Sequence, residues 1–112
     1  MKKYGIRIRC LTPDNKQDNK LFFDNKSVFY SYRLNDGYKG EDVFFLGMKA
    51  GFVKNLVTDI ESMRVYTMIG KAKAKAKRMQ DWFDKVTSDN NLSCKFAVDI
   101  IEMRITIHEL DV

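Results

Sequence analysis

The sequence predicts a single α+β domain over residues 1–112, in which an antiparallel sheet of about five strands packs against one long amphipathic helix spanning 59–88, in the order β-β-β-β-α-β. Three observations lead there. Segments near both ends of the chain alternate apolar and polar residues with the period of a half-buried strand. A long segment in the second half repeats its apolar residues at helical spacing. A chain of 112 residues, 45% apolar and 31% charged, suffices for one hydrophobic core and is too short for two ordinary domains.

The first strand is read from Tyr4, Ile6, Ile8 and Cys10 on one face, with Lys3, Gly5, Arg7 and Arg9 on the other. Thr12-Pro13-Asp14-Asn15 ends it, and a polar loop follows to Lys20. Leu21-Phe22-Phe23, a turn at Asp24-Asn25-Lys26, and Val28, Tyr30, Tyr32 and Leu34 predict a short hairpin. Asn35-Asp36-Gly37 marks a further turn. Val43-Phe44-Phe45-Leu46 opens another strand, in which Gly47 and Gly51 predict a bulge or bend.

The helix rests on Val65, Ile69, Ala72, Ala76, Met79, Phe83 and Val86, whose alternating spacings of four and three keep one apolar stripe in register. Met63, Val65, Thr67 and Ile69 also alternate as a strand would, but the longer window favours one continuous helix. Thr58 with Glu61 suits a capping box, and Asn90 and Asn91 suit a left-handed helix end. In the last strand Phe96, Val98 and Ile100 are out of register with Ile101, Met103, Ile105 and Ile107. A bulge or change of neighbour is expected at Ile100-Ile101.

Charge is polarised along the chain. Residues 1–13 and 62–80 together hold ten of the 20 Lys and Arg residues and none of the 15 acids, within a net charge of +5. Such segregation creates a positive potential that attracts phosphate or an acidic protein surface. At 100° per residue, Arg64, Lys71, Lys75, Arg78 and Lys85 fall in one narrow sector with Trp82, forming a basic ridge beside the apolar stripe. Guanidinium and ammonium groups suit phosphate, and an exposed tryptophan can stack on an unpaired base. Arg7 and Arg9 add basic groups from the first strand. Lysines beside an apolar stripe also serve as an ordinary solvated face, their stems lying over the core. The absence of acids from 62 to 80 tilts the balance toward binding, because solvated helices more often mix signs to form i,i+4 pairs.

These residues predict a non-enzymatic binding protein that contacts nucleic-acid backbone with little sequence specificity. The alternative is a small inhibitor or adaptor, such as viruses carry as accessory proteins, docking its basic face on an acidic surface of a partner. Ala72 and Ala76 permit close approach of the helix to its own sheet or to a second copy, so a homodimer is also open.

Signals for other classes are weak. His108, the one histidine, has no nucleophile at a recognisable spacing, so no catalytic residue is expected. Cys10, Cys94 and His108 fall short of a closed zinc site, so no metal or other cofactor is expected, and the two cysteines are expected to be buried free thiols. No apolar stretch is long enough to cross a membrane and the N-terminus lacks the apolar core of a signal peptide, which predicts a cytoplasmic protein without membrane contact.

Overall fold

The computed structural model describes residues 1–51 and 53–104 and is an α+β fold, a five-stranded mixed sheet covered on one face by a long helix. The strands are β1 (Lys2–Cys10), β2 (Tyr32–Leu34), β3 (Val43–Ala50), β4 (Val53–Val57) and β5 (Phe96–Arg104). They lie in the order β2-β4-β3-β1-β5. All neighbours are antiparallel except β2, which runs parallel to β4 along the sheet edge. The helices are α1 (Lys16–Asp24), α2 (Lys26–Ser31) and α3 (Ile69–Asp89), with a single 3-10 turn at Ile60–Ser62.

The core forms where the two predicted periodicities meet. Ile6 and Ile8 from β1, Phe44 and Leu46 from β3 and Leu56 from β4 are buried in one cluster with Ala76, Met79, Phe83 and Val86 of α3. The apolar stripe is thus taken up by the chain's own sheet, which leaves no room on it for a second copy of the helix. Phe83 lies at the centre, stacked on Phe22 at 5.2 Å between ring centroids and 5.4 Å from Phe96. Gln80 fastens α3 to the edge strand β5, donating to Phe96 O at 2.8 Å and accepting from Val98 N at 2.7 Å. The helix ends as its asparagines predict: the Asn90 side chain donates to Val86 O, and Asn91 takes a φ of 53°.

Four expectations need correction. Residues 21–31 form helices, and no hairpin. Asn15 caps α1 by accepting from Asp18 N at 3.2 Å, and Asn25 ends α1 and caps α2 by accepting from Ser27 N at 2.8 Å. These asparagines turn the Leu21-Phe22-Phe23 run into a helical face that buries Phe22, where a strand would have buried alternate residues.

The long helix begins at Ile69, and the ten residues before it have another use. Asp59 caps the 3-10 turn by accepting from Glu61 N at 3.0 Å, and Thr58 plays no such part. The chain then runs extended between β1 and β3, where Tyr4 and Tyr66 exchange backbone hydrogen bonds of 2.8 and 2.7 Å and Arg64 N donates to Leu46 O at 2.7 Å. The alternation of Met63 and Val65 therefore reports a strand-like wedge. Met63 is buried over Gly5, where a Cβ would collide with its thioether, while Val65 and Ile69 are exposed. The bulge predicted at Gly47 is present as a register shift between Leu46 and Lys49, beside the point where the wedge enters.

The last strand has no break at Ile100-Ile101. Each residue of β5 pairs with β1 from Cys10↔Phe96 to Lys2↔Arg104. Phe96, Val98 and Ile100 pack toward α3, and Ile101 and Met103 lie on the other face, so the register change is a change of face in a continuous strand. The parallel β2-β4 pair is the fourth departure, because the predicted sheet was wholly antiparallel. His108 and the expected strand positions Ile105 and Ile107 lie outside the described residues.

Candidate anion-binding cleft

At its N-terminal end α3 rises over the strand ends of β3 and β4 and the wedge between β1 and β3. A cleft of about 520 Å³ opens there, lined by Lys49, Lys54, Arg64, Tyr66, Lys71, Ala74, Lys75 and Arg78. It brings together six cations from three separate stretches of chain, and among the described residues no acid lines it. Among the described residues none of the six makes an ion pair, whereas Lys2, Arg7, Arg9, Lys16, Lys20 and Arg104 all do.

Four of the ridge residues reach the cleft. Lys71, Lys75 and Arg78 come from the first turns of α3 as expected, and Arg64 arrives from the wedge, its guanidinium 4.9 Å above the Tyr66 ring. Trp82 and Lys85 do not. Trp82 is half-buried and edges onto Tyr32 at 4.8 Å and Phe83 at 5.2 Å, which makes it the rim of the core, and Lys85 stands exposed one turn beyond.

Arg7 and Arg9 lie on the sheet face opposite α3, because they alternate with the buried Ile6, Ile8 and Cys10. Both are engaged by one carboxylate: Arg7 donates to Asp99 at 2.9 and 3.1 Å, and Arg9 at 2.8 Å. Partial burial would push the Asp99 carboxyl up, but the hydrogen bonds from Arg7 and Arg9 outweigh it and hold the carboxyl below its ordinary range. The N-terminal strand and the helix ridge therefore do not form one surface.

Lys49 and Lys54 escape sequence reasoning because they are single lysines on separate strands. Their proximity to α3 follows from the β3-β4 turn at Gly51, with a φ of 63°, which places Lys49 opposite Lys54 in the ladder. A lysine at an irregular point of a short hairpin was the available signal.

Lys75 is the least ordinary member. It is only 8% exposed, its Nζ donates to the Tyr32 hydroxyl at 3.2 Å, and it sits 5.4 Å from that ring's centroid. Lys54 Nζ lies 5.6 Å from the same centroid, so two amines share one aromatic ring. Burial, then the adjacent Lys54, Arg78 and Arg64, lower the Lys75 amine from 10.5 to about 7. Burial also raises the Tyr32 phenol to about 12, so it stays protonated and available as a hydrogen-bonding group.

The two thiols are buried and free, and burial raises Cys94 to about 11, which makes it inert as a nucleophile at neutral pH. Among the described residues no group of three His, Cys, Asp or Glu side chains is placed to hold a metal, and no helix is long and apolar enough to cross a membrane. No protein-family profile, curated protein or solved structure matches the chain. The cleft's own chemistry thus carries the functional reading.

Proposed function

We propose that this is a cytoplasmic, non-enzymatic binding protein whose basic cleft takes the phosphate backbone of nucleic acid with little sequence specificity. The observation that supports the reading is six cations converging on a concave site with no acid among its described lining residues. Concentrating like charges costs electrostatic energy in the free protein, and a polyanion relieves it. A concave site with cations on facing walls suits a thin charged strand. A protein partner would more naturally meet its basic residues on a flat patch.

Arg64, Lys71, Lys75 and Arg78 supply charge in this reading, joined by Lys49 and Lys54. Trp82, Lys85, Arg7 and Arg9 fall outside it. Fluorescence anisotropy of a labelled oligonucleotide tests this with three variants. Lys71→Glu and Arg78→Glu should each weaken binding by about tenfold or more, while Lys85→Glu, on the same helix, should change it less than about twofold. Equal loss in all three would leave only diffuse attraction to the helix. Absence of any binding at low salt would overturn the proposal, and retention of a cellular protein after nuclease treatment would redirect it to an acidic protein surface.

A further inference from the structure

We propose that the cleft contains a built seat for a single phosphate group, centred on the Lys75 amine, and that this amine takes up a proton as the phosphate enters. The inference rests on the reading of the cleft as an anion site and adds to it a particular atom and a proton.

Lys75 lies on a helix flank where a lysine would ordinarily extend its amine into water, yet its side chain is only 8% exposed. A buried ammonium needs an anionic partner or several acceptors. Here it hydrogen-bonds the neutral Tyr32 hydroxyl, at 3.2 Å, with no carboxylate among the described residues beside it. From α3 itself the neighbouring charges are Lys71 and Arg78, and from β4 Lys54, whose amine shares the Tyr32 ring. β3 contributes Lys49, and the wedge contributes Arg64 and the neutral Tyr66. Among the described residues every charged group facing Lys75 is therefore a cation. A methionine would fill the same space without this cost, so packing does not account for the amine.

A tetrahedral anion supplies what the site lacks. Phosphate oxygens accept several hydrogen bonds at once, and their charge offsets the flanking Lys54 and Arg78. Burial and those neighbours hold the Lys75 amine at about 7, so above that pH it stands largely neutral. With an anion beside it the charged form becomes favoured, and the proton comes from solvent. Binding and proton uptake are then a single linked equilibrium.

The test is calorimetric titration in two buffers of different ionisation enthalpy, with inorganic sulfate as a tetrahedral dianion that does not itself titrate, and in parallel with a short oligothymidylate. Wild-type protein should take up close to one proton per sulfate at about pH 8.5, and little at about pH 6. Lys75→Met should weaken sulfate about tenfold and abolish the uptake, whereas Lys75→Arg, charged throughout, should bind without uptake. Sulfate binding with proton uptake and no oligonucleotide binding would keep the phosphate seat and remove the nucleic-acid reading. Oligonucleotide binding without uptake, equally strong in Lys75→Met, would remove the seat and keep the nucleic-acid reading. Failure of both ligands would overturn both.

Discussion

Replacing Lys75 by methionine should make the protein more stable while it loses affinity for anions. The free-energy cost of the native lysine follows from its pKa, which falls from 10.5 to about 7 on folding. Each pKa unit corresponds to about 1.4 kcal/mol, which sets a ceiling of about 5 kcal/mol. The amine borders an open, solvated cleft, so half of that, about 2 kcal/mol, is the expected gain. Below about pH 7 folded and unfolded chains both carry the proton, and the folded chain bears the whole cost. Between about 7 and 10.5 the folded chain loses the proton first, the cost dwindles, and wild-type stability rises with pH. Above about 10.5 neither form is charged and the cost is gone. Urea unfolding at about pH 6 and pH 9.5 reads this directly: the variant's midpoint should exceed the wild type's at the lower pH, and the gap should shrink to about a third of that at the higher one. A variant no more stable at pH 6, or an advantage independent of pH, would refute the claim that Lys75 is a strained cation.

Three further outcomes follow from the fold. Phe83→Ala removes a fully buried ring at the meeting point of Phe22, Trp82 and Phe96, and should cost about 3 to 5 kcal/mol in thermal or urea unfolding. Asp99→Asn should cost only about 1 kcal/mol because the Arg7-Asp99-Arg9 cluster is partly exposed. The lowered carboxyl keeps that contribution intact above about pH 4 and loses it as the pH falls through its own folded-state value, so the gap between wild type and variant in urea unfolding should narrow as the solution is acidified below about pH 4. Gly47→Ala puts a Cβ 2.9 Å from Val57 Cγ1 and 3.2 Å from Asn55 O. It should destabilise by about 1 to 3 kcal/mol, measured the same way.

The parts of the fold legible in the sequence are those where one periodicity had no rival. From Ala72 to Val86 only a helix keeps the apolar residues on one side, and in β1 only a strand does. Residues 63–69 satisfied both periods, and the choice was made by the pairing of Tyr66 with Tyr4 and Arg64 with Leu46, contacts between segments about 60 and 20 residues apart that no local pattern contains. The Leu21-Phe23 run was decided by two asparagine caps, a local signal overridden in reading by a row of apolar residues.

The site was legible to the same degree. Lys71, Lys75 and Arg78 were visible as one helix flank, and Arg64 belongs with them although it arrives by another path. The rest depended on distant chain. Asp99, some 90 residues away, pairs with both Arg7 and Arg9, and Lys49 and Lys54 join the cleft through a turn whose geometry only the folded sheet reveals. The burial of Lys75 was invisible for the same reason, since its helical position resembles that of its exposed neighbours Lys71 and Arg78.

The central claim, that the cleft neutralises a phosphate backbone, is tested most directly by the salt dependence of oligonucleotide affinity between about 50 and 200 mM salt. With four to six cleft cations contacting a single strand, log K should fall against log salt with a slope of about −3 to −4, and Lys71→Glu combined with Arg78→Glu should flatten it by at least about 1. A wild-type slope near zero, or the same slope in the double variant, would contradict it.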